Sequence, residues 1–245
     1  HKTKYLVGKK AKLKHFIEPF NSSIINFLND FSKELNKNKK IQNYPDLKAL
    51  SFFCREKNIL IFKKKYNSPS SIRYGLGLLF HITPSNIPTN FAYSLIFGLI
   101  SGNSNIIKVP SKKFVEIDLI CKCLNITLKL KRYSKIKDMI AIIRYSDNNE
   151  ITKKLSLMCD GRLIWGGDKT VLKLRSFQTP VHALDFNFFD RFSFSLLHLN
   201  KKSNYEKISQ NFFNDSLVMD QNACSSPHII VWYKTKKENI ELFWK

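Results

Sequence analysis

The chain has 245 residues, of which 43% are hydrophobic, and its 41 basic residues exceed the 19 acidic ones to give a formal charge of +22. This length and apolar content suit one large domain or two ordinary ones with a substantial core. The apolar run over residues 91–100 is about half as long as a membrane span, and we detect no signal peptide. The sequence therefore predicts a soluble, cytoplasmic protein and excludes one that crosses a membrane by apolar helices.

The positive charge is spread along the whole chain. Lysine is enriched together with isoleucine and asparagine, so short runs such as Lys63-Lys64-Lys65 are interpreted as solvated faces. A nucleic-acid-binding protein, the alternative that the charge suggests, would need lysines clustered with exposed aromatic residues on one face. The five cysteines form neither CxxC pairs nor zinc-ligand spacings, which predicts a reduced setting and no metal site.

Residues 1–70 form the first region and are expected to be mainly helical. Apolar residues recur at three- and four-residue spacing over residues 11–35 and 46–57, which is typical of amphipathic helices. No chemistry stands out here, so the region is interpreted as a helical accessory that packs on the main domain. The sequence Asn-Ser-Pro-Ser-Ser at residues 67–71 predicts a linker after it.

The next segment is predicted to be a strand, a turn and a helix. Residues 75–82 form a short aliphatic run that is typical of a buried strand. The turn that follows places Asn86 between two prolines. A helix is expected to begin at Thr89 or Asn90, either of which could cap it, and to end at Ser101-Gly102-Asn103.

A second predicted strand, residues 105–109, completes a βαβ unit and ends at Lys108-Val109-Pro110. Asn86 and Lys108 then lie at the ends of neighbouring parallel strands, and ligands bind at that edge in open α/β sheets. The same residues could also serve only as a turn cap and a solvated strand end.

The alternation of strands and helices continues to residue 165. Ser111 is expected to cap a helix that runs to about residue 124, and Gly166-Gly167 directly follows a strand and precedes another helix. Two glycines in that position let the backbone approach a phosphate at a helix N-terminus. We predict a parallel sheet with helices on both faces; its further elements are strands at residues 139–143 and 162–165 and a helix at 150–158.

The last third of the chain contains the candidate nucleophile, Cys224. It lies in a turn of small and polar residues before an apolar strand at residues 228–233, whereas the other four cysteines lie in helical patterns. A reactive thiol needs access and nearby amides that stabilise the thiolate, while a cysteine in an apolar pattern is usually a small core residue. The remaining predicted elements are strands at 183–189 and 193–199 and a helix at 205–213.

Three pieces of the chain resemble the LuxC-like acyl-CoA reductases, the fatty acid reductase branch of the aldehyde dehydrogenase superfamily. They are FHITPSNIPTNFAYSLIFGLISGNSNIIKVPSK, LIWGGDKTV and DQNACSSPHIIVW, and the resemblance extends over about residues 75–232. It implies an α/β fold with a Rossmann-type parallel sheet. The expected domains are a helical N-terminal region at 1–70, a dinucleotide-binding domain at 71–180, and the start of a catalytic thiol domain at 181–245, truncated at its C-terminus.

The resemblance also assigns roles to individual residues. Cys224 would be acylated by a long-chain acyl thioester, and the Asn86 side chain would donate to the oxyanion together with the Cys224 backbone amide. Lys108 would contact the adenosine ribose of the cofactor. Gly166 and Gly167 would lie under the pyrophosphate. The cofactor-binding residues would also include Asp168 after this turn and Ser111, three positions after Lys108.

The chain departs from the oxidising members of the superfamily in two places. Those enzymes carry a glutamate that activates water, and residues 184–191 contain none, which fits a reductase. NAD-preferring relatives often carry an acidic residue near the position of Ser111 and Lys112, so the resemblance favours NADPH, with NADH as the alternative. The implied partners are long-chain acyl-CoA or an acylated carrier or acyl-protein synthetase, and a second copy of the chain in a homo-oligomer.

Two other interpretations stay open at this point. The chain could be a truncated or inactive family member with a binding or structural role, because 21 residues follow Cys224 here and members of the superfamily need more to complete both domains. The second is the basic nucleic-acid-binding protein considered above. His81, His182 and His228 are candidates for proton transfer by residue type alone.

Overall fold

The computed structural model describes residues 3–9, 17–66, 71–146, 148–217 and 221–245. Two compact units make up the chain, His1–Phe188 and Phe189–Lys245. The boundary predicted between residues 180 and 181 stays a prediction for the functional domains. Among the described residues, no helix combines the length and the hydropathy that a membrane crossing requires.

A six-stranded sheet forms the centre of the first unit. Its strands lie in the order β1-β4-β3-β2-β5-β6, and all neighbours are parallel except β1, which pairs antiparallel with β4. The predicted parallel sheet is confirmed, apart from this edge strand. The strands are β1 (Lys4–Val7), β2 (Leu78–Ile82), β3 (Ser104–Lys108), β4 (Ile140–Arg144), β5 (Gly161–Trp165) and β6 (Leu184–Phe188).

Helices cover both faces of this sheet, because successive side chains of each strand point to opposite sides. The helices are α1 (Ser22–Lys37), α2 (Pro45–Phe53), α3 (Glu56–Tyr66), α4 (Asn90–Ile100), α5 (Val115–Thr127), α6 (Ser134–Lys137), α7 (Asn149–Ser156) and α8 (Asp168–Arg175). Ile107 and Ile142 pack in one core with α1, α4 and α5, whereas Phe80, Ile106 and Ile143 pack in a second core with α7 and α8. The strands are therefore buried on both sides, as parallel sheets require.

The N-terminal region departs from the prediction in two places. Residues 4–7 form a strand at the sheet edge, so the region is not helical throughout. The helix predicted from residue 11 begins at Ser22, because Phe20 adopts a positive φ of 54° and the Asn21 side chain accepts a hydrogen bond from the Ser23 amide, 2.9 Å away. Residues 11–16 of that predicted helix, and residues 67–70 of the predicted linker, lie outside the described residues.

The helix between the first two parallel strands begins at Asn90, as predicted, but lacks the predicted side-chain cap. Thr89 occupies the N-cap position of α4, but its side chain makes no capping hydrogen bond. The predicted end is confirmed, with Gly102 at a φ of 83° just after the helix. A Cβ on Gly102 would lie 2.1 Å from the Ile17 carbonyl oxygen, so the chain before α1 can approach here only because the residue is glycine.

The second unit is a small α/β unit with a two-stranded sheet. Strand β7 (Ser193–Leu197) pairs in parallel with β8 (Pro227–Trp232), and two helices, α9 (Tyr205–Ser216) and α10 (Lys237–Phe243), complete it. Phe212, Trp232, Phe243 and Trp244 form a cluster of edge-to-face aromatic contacts with centroids 4.9–6.0 Å apart. Met219 and Asp220, from the turn predicted before Cys224, lie outside the described residues.

Candidate active site

The carboxyl edge of the parallel sheet collects several of the predicted site residues. Strands β2 and β5 pair directly, and the helices that follow them, α4 and α8, pack on opposite faces of the sheet. This arrangement is a topological switch point, the crevice where α/β sheets bind ligands. The loop with Asn86, an exposed residue, follows β2, and the turn Gly166-Gly167 follows β5, so both leave the sheet at this crevice.

The glycine turn has the open backbone that a phosphate needs. Gly167 is the N-cap residue of α8, and a Cβ built on it meets no atom within 4 Å. Gly166 is tighter, since its Cβ would lie 3.3 Å from Cγ2 of Thr170. Asp168 opens α8 and is exposed, in the first turn, where the helix dipole stabilises a carboxylate. The turn and the first amides of α8 fit a pyrophosphate.

Lys108 is the last residue of β3 and belongs to the same edge. The main-chain amide and the hydroxyl of Thr83 both donate to the Lys108 carbonyl oxygen, at 3.2 Å and 2.9 Å, and so join the ends of β2 and β3. Lys108 lies two positions after Ile106, so its side chain points to the sheet face that α7 and α8 cover. The lysine side chain and the helix that follows the glycine turn therefore lie on the same face of the sheet.

Tyr145 is a residue of this site that the sequence interpretation missed. It follows β4, is 3% exposed, and its ring centroid lies 5.4 Å from Nζ of Lys108. The signal was present, because Tyr145 is the first aromatic residue after an aliphatic strand that runs parallel to β3.

Ser111 corrects a prediction about the next helix. Helix α5 begins at Val115 with Phe114 at its N-cap and no side-chain cap, so Ser111 does not cap it. The Ser111 hydroxyl instead donates to the Tyr145 carbonyl oxygen, 2.9 Å away. The loop after β3 is thus tied to the end of β4, which brings Lys108 and Ser111 together around Tyr145.

His81 belongs to the opposite face and is part of a buried polar network. Its Nε2 donates to Oδ1 of Asn105, 3.0 Å away, and its Nδ1 accepts from the Ser94 hydroxyl at 2.7 Å. Complete burial lowers the pKa of His81 to about 4, so the ring is neutral at physiological pH. A Cβ on Gly98 would lie 1.9 Å from Oδ1 of Asn105, so only glycine in α4 leaves room for this network.

The other two histidines considered for proton transfer, His182 and His228, are exposed, and each contacts another side chain. His182 lies 3.0 Å from a carboxylate oxygen of Asp160. His228 stacks on Phe192 in the second unit, with ring centroids 5.4 Å apart.

A bidentate ion pair joins the edge strand β6 to its neighbour β5. Arg162 in β5 donates to both carboxylate oxygens of Asp185 in β6, at 2.8 Å and 2.7 Å. The Arg162 side chain is 1% exposed and also donates to the Ser156 hydroxyl and the Phe177 carbonyl. Asp185 is the first carboxylate in residues 184–191, the segment that lacks a glutamate. Both of its carboxylate oxygens accept hydrogen bonds from Arg162.

The cysteines divide as the sequence predicts. All five lie among the described residues, and Cys224 alone is exposed. Burial raises the pKa of Cys121 to about 12 and that of Cys159 to about 11, and it also raises the pKa values of Cys54 and Cys123. Those four thiols stay protonated at physiological pH and behave as core residues.

The turn of Cys224 is attached to the start of β7 within the second unit. The Ser193 hydroxyl donates to the Cys224 carbonyl oxygen, 2.7 Å away, and the Ser226 amide donates to the Ala223 carbonyl at 2.9 Å. The hydroxyl of Ser226 is buried and has no hydrogen-bond partner in the described part of the chain. Ser193 lies 31 positions before the cysteine, and no local spacing pattern connects the two residues.

A family model supplies independent information about this set of residues. The model described as acyl-CoA reductase (LuxC) matches residues 55–243, which include both the glycine turn and Cys224. A search of curated protein sequences finds no match to the chain.

Solved structures with the same fold are aldehyde dehydrogenases. The chain is similar to a putative aldehyde dehydrogenase from Burkholderia cenocepacia, with a TM-score of 0.66 and 12% identity over 91% of this chain and 51% of that one. It is also similar to an acetylating aldehyde dehydrogenase from Geobacillus thermoglucosidasius, with a TM-score of 0.61 and 13% identity over 96% and 54%.

A third similar structure is a glyceraldehyde-3-phosphate dehydrogenase from Methanocaldococcus jannaschii complexed with NADP. Its TM-score is 0.61, with 16% identity over 91% of this chain and 53% of that one. The chain thus spans about half the length of the structures it matches, and at these identities the similarity concerns the fold.

Proposed function

Because the chain belongs to the acyl-CoA reductase (LuxC) family, we propose that the natural protein reduces a long-chain fatty acyl thioester to the aldehyde through an acyl-cysteine at Cys224. The observation that carries the proposal is the family match itself, since residues 55–243 contain the sheet edge, the glycine turn and the cysteine. The proposal concerns the whole natural polypeptide, because the similar structures are about twice as long as this chain.

Cys224 is the proposed nucleophile. Its thiolate forms a bond to the thioester carbonyl carbon, and the bond from that carbon to the sulfur of the donor breaks, so that the donor leaves as a thiol after taking up a proton. The exposure of Cys224 supports this role, because the other four thiols are buried with raised pKa values. Only Cys224 is accessible to a substrate carbonyl.

Two amides are proposed to stabilise the oxyanion that develops on the substrate. They are the side-chain amide of Asn86 and the main-chain amide of Cys224. Such a donor acts on charge that appears in the transition state, and each is typically worth about 3 kcal/mol. Asn86 is exposed in a proline-bounded loop at the switch point, which supports its access to a substrate.

The proposed cofactor is NADPH, with NADH as the alternative. The open glycine turn at α8 fits a pyrophosphate, and Lys108 on the same face is the proposed ribose contact, with Ser111 and Asp168 nearby in the same cofactor site. Exposed Lys112 after β3 supplies a charge that complements a 2′-phosphate. When bound, the nicotinamide would supply the hydride that converts the acyl group to the oxidation level of an aldehyde.

Reduction also requires that water does not intercept the acyl-cysteine. Residues 184–191 contain no glutamate, and the first of their two aspartates, Asp185, accepts hydrogen bonds from two nitrogens of the Arg162 guanidinium. A carboxylate in a bidentate pair is a poor general base for water. This pair supports reduction over hydrolysis, and aldehyde release then returns Cys224 as the thiolate.

The proposed donor is long-chain acyl-CoA or an acyl group on a carrier or acyl-protein synthetase, and the proposed assembly is a homo-oligomer in the cytoplasm. These assignments follow from the family and from the reduced state of five unpaired cysteines.

The decisive experiment measures the acyl-enzyme directly. The natural full-length polypeptide that carries these residues is incubated with palmitoyl-CoA without reductant, and intact mass and peptide maps are recorded. We expect a hydroxylamine-labile adduct on the Cys224 peptide that Cys224→Ala abolishes. The four buried cysteines serve as internal controls, since their peptides should stay unmodified.

Addition of NADPH to the isolated adduct should then release the fatty aldehyde. A folded protein that forms no adduct with palmitoyl-CoA would contradict the proposed mechanism. An adduct that NADPH and NADH both fail to discharge would instead indicate an acyltransferase that uses the same cysteine.

A further inference from the structure

Tyr145 connects the residues proposed to bind the cofactor. Nζ of Lys108 lies 5.4 Å from the centroid of its ring, within the range of a cation–π contact. Its carbonyl oxygen accepts from Ser111, 2.9 Å away. Its hydroxyl lies 2.9 Å from Oγ1 of Thr152 in α7. Tyr145 therefore contacts the ends of three separate segments.

These contacts fix the ring itself. The Thr152 hydroxyl donates to the Asn148 carbonyl at 3.1 Å, so the hydrogen between Thr152 and Tyr145 comes from the tyrosine. The ring is 3% exposed and belongs to the core formed with α7 and α8. A ring anchored at its backbone and at its hydroxyl cannot turn away from Lys108.

A fixed ring matters because a lysine side chain is flexible. Ordering its four-carbon stem around a ligand costs rotamer entropy. A cation–π contact that already confines the ammonium group removes part of this cost before a ligand arrives. Tyr145 and α8 belong to the same core on one face of the sheet, so the confined ammonium lies on the face that carries the proposed glycine turn of the cofactor site.

We propose that Tyr145 is a positioning residue for Lys108, confining its ammonium group for contact with the adenosine ribose of the cofactor. The inference rests on the proposed function. It adds a residue that acts through the lysine and makes no contact with the cofactor itself. A residue that only filled the core would change stability without acting through Lys108.

The test compares cofactor affinity in matched variants of the full-length protein. Tyr145→Leu removes the ring and should weaken NADPH binding about tenfold, which corresponds to about 1.4 kcal/mol. Tyr145→Phe keeps the ring and should bind within about twofold of the unmodified protein. Fluorescence titration with NADPH and with NADH gives both dissociation constants, and thermal unfolding checks that each variant is folded.

A double-mutant cycle separates positioning from packing. In a Lys108→Met background, Tyr145→Leu should cause no further loss of affinity, because the ring acts only through the lysine. An equal loss with and without Lys108 would overturn the inference while leaving the proposed function intact. If the unmodified protein bound neither NADPH nor NADH, the proposed function would fail, and the inference with it.

A measurement on the unmodified protein covers the case in which Tyr145→Leu does not fold. Reductive methylation with labelled formaldehyde puts methyl groups on the lysines and keeps their charge. The Lys108 signal, identified by its loss in Lys108→Arg, should be shifted upfield by the tyrosine ring in the absence of cofactor. A Lys108 signal at the position of exposed lysines would overturn the inference.

Discussion

The two compact units bury similar strand sequences very differently. In the first unit, β2 and β4 are buried at every position, between helices on both faces. In the second, the paired residues Phe194 with Ile229 and Leu196 with Val231 are 43–61% exposed. Parallel strands normally have both faces covered. Among the described residues, however, these four apolar side chains of the two-stranded sheet are exposed to solvent.

This difference in burial suggests that the two units contribute differently to stability and to reactivity. The first unit contains two continuous cores and a buried polar network, and its proposed task is to present a rigid sheet edge to a cofactor. The second unit contains the exposed cysteine. We therefore expect the first unit to dominate the free energy of unfolding and the second to dominate reactivity.

The largest expected effect compares two leucines that differ in burial. Leu99 in α4 is 0% exposed and Leu196 in β7 is 60% exposed. Leu99→Ala should lower the free energy of unfolding of the 245-residue chain by about 3 kcal/mol, and Leu196→Ala by less than about 0.5 kcal/mol. Urea denaturation followed by circular dichroism measures both, and equal losses would break the comparison.

A smaller effect should appear when pH is changed. The pKa of His81 is about 4 in the folded chain and about 6.5 when unfolded. At and above neutral pH both states are neutral, so the histidine adds no pH dependence. As pH falls from 6.5 towards 4, only the unfolded state takes up a proton, and stability is lost.

Between pH 7 and pH 5 this loss should reach about 2 kcal/mol. His81→Gln removes the titrating group, so its unfolding free energy should depend less on pH over the same interval. Urea denaturation at several pH values gives the comparison. A variant with the unchanged slope would show that other groups cause the acid sensitivity.

The smallest effect concerns the second unit. Ser193→Ala removes the hydrogen bond to the Cys224 carbonyl, which is worth about 1 kcal/mol. We expect the rate of Cys224 acylation by palmitoyl-CoA to fall about fivefold, with Ser193→Thr, which keeps the hydroxyl, much less affected. Stopped-time mass spectrometry provides the rates. An unchanged rate in Ser193→Ala would mean that the turn is fixed without this bond.

Much of the fold could be predicted from the sequence because each strand is a short aliphatic run that ends in a turn signal. The strands around Ile106 and Ile142 and the helix stop at Gly102 are of this kind. The strand at residues 4–7 was missed because it is an isolated four-residue edge strand whose partner lies far away in the chain. Local periodicity carries no information about such a pairing.

The candidate site also contains residues that local sequence could indicate and residues that it could not. Residues at strand ends, such as Asn86 and Lys108, could be proposed from position alone, and the exposure of Cys224 agrees with its polar neighbourhood. Tyr145, Ser193 and the Arg162–Asp185 pair depend on contacts between distant segments. Ser111 shows the limit of local rules, because its hydroxyl, which is suited to a helix cap, instead donates to the Tyr145 carbonyl just after β4.

The antiparallel edge strand has a consequence for how the protein is made. Tyr5 pairs with Ile143, so β1 leaves the ribosome about 140 residues before the strand with which it pairs. At about 5–20 residues per second, synthesis of the residues between them takes roughly 7 to 28 seconds. During this interval the nascent chain can assemble α1 to α4 with β2 and β3, but β1 can pair with β4 only afterwards. We expect this strand to be the part of the sheet that chaperones encounter unpaired.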